Sequence, residues 1–350
     1  ATEGVLEAAR AHHSSAAESN LTINALAFHA ADLGAAAAPV VTRRAGVLRV
    51  AAVNQRTSPA GEALAHFAGL VAERTSGEVS VELDIPYGGK GRGETQALIE
   101  LASGELSIAS INCSVAGNIL PAVQLLDLPF LCDSVAHALA VLDGPYGQRI
   151  LADASESGLL ALGFLENGIR HLTSNRPVRR PEDLRDVRLR VQESPLYLYL
   201  ADALGAIPTP VPYTQLAESL RRGTVEAQEN PLSNIAALRL HEVQSSLTLT
   251  AHTYSCQIVF ANERALEGLG ELRRVVEGAL RDAMTWHRRR ARDVEQQALT
   301  ELRSRMQVID LTPEERRAFA VAATSVDNRM GELVGVDAVR RIRSAAEAAR

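Results

Sequence analysis

The chain has little of what marks a nucleic-acid binder, a membrane span or a disulfide-stapled miniprotein. Its 36 Lys and Arg are outnumbered by 42 Asp and Glu, for a formal net charge of -6, so the basic stripe that neutralises phosphates is missing and nucleic acid is excluded as a partner. The local run Trp286-His287-Arg288-Arg289-Arg290 is flanked by acids and reads as the solvated face of a helix. No stretch approaches the uninterrupted apolar length of a membrane span, and the Ala-rich segment from Ala25 to Val41 is broken by His29, Asp32 and Pro39. The cysteines, Cys113, Cys132 and Cys256, are widely spaced and form no CxxC pair, which excludes a dense disulfide framework and leaves the redox compartment open.

Catalytic and metal signatures are also thin. His12-His13 has no second ligand pair at a fixed spacing, so no metal and no other cofactor is expected. The segment Tyr87-Gly88-Gly89-Lys90-Gly91-Arg92-Gly93 lacks the Gly-Lys-Ser/Thr ending of a phosphate-binding loop and reads as a flexible cleft loop. Cys113 has no histidine assigned to activate it and reads as a buried structural thiol. Glu226 and Glu229, three apart on a strand, point to opposite faces and do not form an acid–base pair. The expectation is a chain that catalyses no reaction.

What is present is the texture of an ordinary globular protein: 350 residues, 46% of them hydrophobic, enough to bury a substantial core in two or three domain-sized units. Residues 1–46 form an Ala-rich extension, read as helical and outside the main fold. The chain begins at Ala1, compatible with removal of a leader. From Val47 the rhythm becomes strand, helix, strand. Val47 to Val53 is a buried-strand run, Ser58-Pro59 opens a helix carrying Leu64, Phe67, Leu70 and Val71, and Val79 to Ile85 alternates as a strand. Glu94 to Ser103 reads as a helix capped by Gly104, and Leu106 to Ile111 as a strand. Helices near Val135 to Leu142 and Gly147 to Ser157 lead to a strand at Leu159 to Leu165. The pattern resumes with strands at Val187 to Val191 and Thr224 to Gln228, around a helix from Tyr213 to Arg222. These alternations predict an α/β fold with a mainly parallel sheet covered by helices. Charged amphipathic helices from Leu272 to Met306 and from Pro313 to the end are expected to brace the body.

Two arginines sit at the ends of strand-like segments: Arg170, closing Leu165-Glu166-Asn167-Gly168-Ile169-Arg170, and Arg190, within Leu189-Arg190-Val191-Gln192. A planar guanidinium at a cleft-facing strand end suits a carboxylate, whose two oxygens accept parallel hydrogen bonds; a surface ion pair is the competing reading. The segment Thr224 to Asn234 runs a strand into a polar turn, where Asn230 precedes a proline and is pushed toward extended backbone.

Together, Asn167-Gly168-Ile169-Arg170-His171-Leu172-Thr173-Ser174-Asn175, Leu189-Arg190-Val191-Gln192 and Gln228-Glu229-Asn230-Pro231 resemble the successive signatures of the DctP family, the solute-binding proteins of tripartite ATP-independent periplasmic (TRAP) transporters. The likeness runs from about Val47 through Tyr254, including Gly205 to Tyr213, and more weakly into the C-terminal helices. It implies a two-lobed, type II-like periplasmic-binding-protein fold with discontinuous lobes and crossover strands: 47–168 plus about 255–295, and 169–254 plus about 296–350. It implies further that Arg190 clamps a ligand carboxylate, with Arg170 and Asn230 adding donors, and that Asn54, Arg92, Glu94, Asn112, Ser114, Tyr213 and Ser233 complete the cleft. Ala217 stands where many relatives carry a tyrosine, which implies a reshaped wall. The implied protein is a periplasmic monomer that closes on a small organic acid, best an acidic sugar such as a uronate, and delivers it to TRAP permease subunits. A ligand sensor docking to a signalling partner and an enzyme acting on an acidic sugar are the alternatives.

Overall fold

In a computed structural model that describes residues 46–87, 93–155 and 158–350, nine strands join in one sheet of order β2-β1-β3-β8-β4-β7-β5-β6, with β9 (Gln307–Ile309) on β8. The predicted N-terminal extension and Arg92 lie outside the described residues. Strand β1 (Val47–Ala52) pairs in parallel with β2 (Ser80–Asp84) and β3 (Ile108–Asn112). Strand β5 (Arg188–Val191) pairs in parallel with β6 (Ile207–Pro210) and β7 (Ala227–Pro231). Between these groups lie two long strands, β4 (Leu159–Ser174) and β8 (Ser246–Asn262), antiparallel to each other from Leu159↔Asn262 to Ser174↔Ser246.

The sheet is therefore mixed rather than mainly parallel. The expected strand ending at Leu165 continues to Ser174, and its register with β8 shifts between Ala161 and Gly163, Glu166 and Gly168, and Arg170 and Leu172. Glycines at two of these irregularities, Gly163 with φ +147° and Gly168 with φ +120°, take backbone angles that side chains resist.

Burial on both faces explains why β1 reads as an unbroken apolar run. Leu48, Val50 and Ala52 face one core with Leu64, Phe67 and Val71 of helix α1 (Pro59–Arg74); Ala51 and Val53 face another with Leu98 and Leu101 of α2 (Glu94–Ser103). Ser58 caps α1 by accepting from the Gly61 amide, and Gly104 ends α2 in the left-handed region at φ +83°, as the sequence signals. Short α3 (Cys113–Ala116) follows β3, and α4 (Val135–Asp143) and α5 (Pro145–Ser155) lead to β4. Helix α6 (Pro195–Ala203) follows β5, α7 (Leu216–Arg221) precedes β7, and α8 (Leu232–Ala237) follows it.

After α9 (Glu263–Glu267), the 34-residue α10 (Leu272–Arg305) spans about 50 Å. Its first half packs Val276, Ala279 and Leu280 into the cluster with α1 and β4, and its last turns pack Ala298 and Leu302 with Leu216, Ile235 and Leu240. The expected bracing role thus has a physical basis in two separate apolar contacts. The arginine-rich run on α10 is not wholly solvated: His287 is buried between the Pro59 and Glu166 carbonyl oxygens, while Arg288 and Arg290 pair with Asp143 and Glu62. The expected final helix is three, α11 (Pro313–Ala322), α12 (Ser325–Val334) and α13 (Val336–Ala348). Among the described residues no helix is long and apolar enough to cross a membrane.

Candidate functional site

The carboxyl ends of the parallel strands converge on one polar cavity, the position where open α/β sheets gather ligands. Asn54 follows β1, Asn112 ends β3, Arg190 and Gln192 lie at the end of β5, Tyr213 follows β6, and Asn230 lies near the end of β7. Glu94 enters from the first turn of α2, and Asn167 and Arg170 from the middle of β4. Most of the residues expected in the cleft are thus brought together by the topology.

Arg190 is 2% exposed, and its only hydrogen bond among the described residues runs from Nε to the Val211 carbonyl at 2.8 Å. Its buried Nη1 has no partner. Burial lowers its pKa to about 10, opposed by Glu229 and reinforced by Arg170, so it remains a cation at neutral pH. Gln192, two residues on and therefore on the same strand face, accepts at Oε1 from the Ser114 hydroxyl at 3.0 Å, which turns its Nε2 away; that buried Nε2 is also unpartnered. The Tyr213 hydroxyl is a third such group. A buried donor without a partner is costly, so three in one cavity define a place for acceptor oxygens, one of them against a full positive charge.

Arg170 is differently placed. It lines the same cavity, but its guanidinium is committed to Glu229: Nε donates to Oε2, Nη2 donates to Oε1 at 2.8 Å and to the Glu229 carbonyl at 2.7 Å. It also donates to Asn230 Oδ1 at 3.3 Å and lies 5.1 Å over the Tyr197 ring. Glu229 in turn meets His252 Nε2 at 3.2 Å. Burial would raise the Glu229 pKa, yet the Arg170 charge and these hydrogen bonds hold it below its ordinary value. Arg170 and Glu229 cancel in charge, so Arg170 does not present the free fork that the sequence suggested. Glu229 is buried, whereas Glu226, one residue before β7, is exposed.

The opposite wall is built of carboxylate and amides. Glu94 accepts from the Asn112 amide at 2.6 Å and from Asn112 Nδ2 at 2.9 and 3.0 Å. Asn112 Oδ1 accepts from Asn167 at 2.9 Å, Asn167 Oδ1 accepts from Asn234 at 3.1 Å, and Asn54 Oδ1 accepts from Gln257 at 2.5 Å. Burial raises the Glu94 pKa from 4.5 to about 7, against the Asn112 hydrogen bonds. Such an acid is cheap to bury when protonated, so this contribution to stability is full below 4.5 and is lost as pH rises through 7. Wild type should therefore lose up to about 3 kcal/mol relative to Glu94→Gln across that interval. Urea unfolding of both proteins over the same pH range checks it, and a constant difference would refute it.

Two residues expected in the cleft, Ser114 and Ser233, do not line this cavity. Ser114 stands behind Gln192 and orients it without lining the cavity. The Ser233 backbone amide donates to Glu295 of α10 at 3.0 Å. Ala217 packs beside Leu216 and Leu220 in the apolar cluster. Gln192, Asn167 and Asn234 were not singled out; the period-two spacing from Arg190 was the available signal for Gln192.

Residues 50–332 match the family model described as bacterial extracellular solute-binding protein, family 7 (DctP). A solute-binding protein of Verminephrobacter eiseniae is 33% identical over 301 residues, 85% of this chain and 89% of its own. The 2,3-diketo-L-gulonate-binding periplasmic protein YiaO of Escherichia coli is 31% identical over 73% of this chain and 78% of its own. Among solved structures, the sugar acid binding protein DctPAm of Advenella mimigardefordensis, in complex with galactonate, superposes with a TM-score of 0.83 at 30% identity, covering 87% of this chain and 98% of that one.

Proposed function

The chain belongs to the DctP family of bacterial extracellular solute-binding proteins, receptors for small carboxylates rather than enzymes, and on that premise we propose that it captures a monoanionic, hydroxyl-rich sugar acid in the cavity around Arg190. The observation that carries this reading is the buried, unpartnered Nη1 of Arg190. A ligand carboxylate there gains a charge-assisted hydrogen bond in a desolvated site. Gln192 Nε2 and the Tyr213 hydroxyl supply further donors, and the asparagine wall with Glu94 suits hydroxyl groups.

Charge balance argues for one carboxylate on the ligand. Among the described residues Arg170 is committed to Glu229, Arg190 is the lining cation that keeps a buried unpartnered donor, and the cavity already holds two further acids, Glu94 and Glu193. A second carboxylate placed there would be desolvated beside two acids whose own ionisation burial already disfavours. The relatives that bind galactonate and 2,3-diketo-L-gulonate support the polyhydroxy monoacid class.

The receptor reading includes extracytoplasmic residence and handover of the ligand to TRAP permease subunits by a monomer. It also includes closure of two halves, 47–168 with about 255–295 against 169–254 with about 296–350, about the shared strands β4 and β8. Arg92, from the family likeness, is assigned to the cleft mouth on the same basis.

A thermal-shift screen tests the ligand class on protein unfolded, stripped of bound ligand and refolded. Aldonates and hexuronates should raise the unfolding midpoint as their concentration passes the dissociation constant, worth about 2.7 kcal/mol at 100-fold excess over it. Succinate and other dicarboxylates should give little shift. A larger shift with a dicarboxylate would overturn the monoanion reading, and no shift with any carboxylate would overturn the receptor reading itself.

A further inference from the structure

Cys113 and Cys256, 143 positions apart in the sequence, meet inside the core. Their Sγ atoms are 3.3 Å apart, and both residues are fully buried. The ladder between β3 and β8 explains the meeting. Asn112 pairs with Gln257 at the last position of the antiparallel ladder, and Cys113, the first residue of α3, follows directly and so lies next to Cys256. Sulfur atoms 3.3 Å apart need to approach by only about 1.2 Å to reach the disulfide bond length of about 2.05 Å.

We propose that Cys113 and Cys256 are a disulfide-forming pair, closed by a disulfide-bearing oxidant while β3 and β8 assemble, and that Cys132 remains a free thiol. One cysteine attacks the oxidant disulfide as thiolate, forming a mixed disulfide and releasing one oxidant thiol. The second cysteine then attacks the protein sulfur of that mixed disulfide and releases the other. The Sγ–Sγ bond forms, the oxidant disulfide is reduced to two thiols, and the two thiol protons of the protein are carried off with them.

The order of events follows from burial. Enclosure raises both thiols above their ordinary pKa, so the attacking thiolate is scarce once the core has closed. Oxidation belongs to the assembling chain, and reduction of the finished bond should be slow for the same reason. Cys132 is partly exposed and has its thiol pushed up to about 12 by burial, which leaves it a poor attacker.

The bond would fasten the cavity wall. Cys113 follows Asn112, which donates to Glu94. Cys256 sits between Ser255, which accepts from Asn167, and Gln257, which donates to Asn54. A link at this point ties β3 to β8 where both carry site residues, and it closes a long loop in the unfolded chain.

The test uses the full chain refolded from denaturant with a mixture of reduced and oxidised glutathione. Intact mass should fall by two hydrogen atoms, alkylation in denaturant should label one thiol in place of three, and peptide mapping should join the Cys113 and Cys256 peptides. The Cys132→Ser variant should show no labelled thiol, and the oxidised wild type should unfold at a higher midpoint than the same protein after reduction in denaturant. Three labelled thiols after refolding, or a link involving Cys132, would overturn the proposal. None of these readings depends on whether a sugar acid binds.

Discussion

Arg190→Ala is expected to weaken sugar-acid binding by about 2 to 5 kcal/mol, well over an order of magnitude in affinity, while leaving the protein folded. The asymmetry comes from its surroundings. In the free protein this guanidinium is buried with Nη1 unpartnered and with burial already depressing its pKa. Removing it relieves a desolvated charge when no ligand is bound, and abandons the ligand carboxylate when one is. Arg190→Lys should recover little, because a point charge cannot keep the Val211 bond and reach the ligand at once. Calorimetric titration of both variants with an aldonate checks the prediction, and near-wild-type affinity in the alanine variant would remove Arg190 from the site.

Arg170→Ala should behave in the opposite way, losing about 3 to 5 kcal/mol of folding stability, because it leaves the Glu229 carboxylate buried without its counter-charge. The contacts that make the loss large are internal: two donations to the carboxylate, one to the Glu229 carbonyl and the Tyr197 ring beneath. Replacing both members, as in Arg170→Met with Glu229→Leu, should restore much of the stability by removing both charges together. Denaturant unfolding of the two variants distinguishes the cases. An Arg170→Ala protein of unchanged stability but abolished binding would return Arg170 to a direct ligand role.

The two arginines looked alike in the sequence because each closes a strand-like run. What separates them is the pairing of β4 with β7, which sets Leu172 opposite Glu229 and brings that acid beside Arg170. No local pattern states which strands will be neighbours, so the neutralising partner was not legible. The same limit hid the length of β4. Its middle carries Asn167 and Arg170, which line the cavity, and their polarity interrupts the apolar run from which a strand is read. Helix boundaries fared better where a cap signals them, as Ser58 before Pro59 and Gly104 after Ser103 do. Ser114 and Ser233 were placed in the cleft by likeness alone, and their hydroxyl and amide serve neighbours instead.

The long strands shared by both groups of parallel strands have a consequence for how the chain is made. Strand β3 has β1 on one side, and on the other it waits for β8, with Ile108 opposite Ala261. Translation at about 5 to 20 residues per second leaves that edge bare for on the order of 10 s. During that interval the nascent chain carries an open template for stray pairing, so its early segments profit from a holding factor or from prompt passage to the compartment where folding ends.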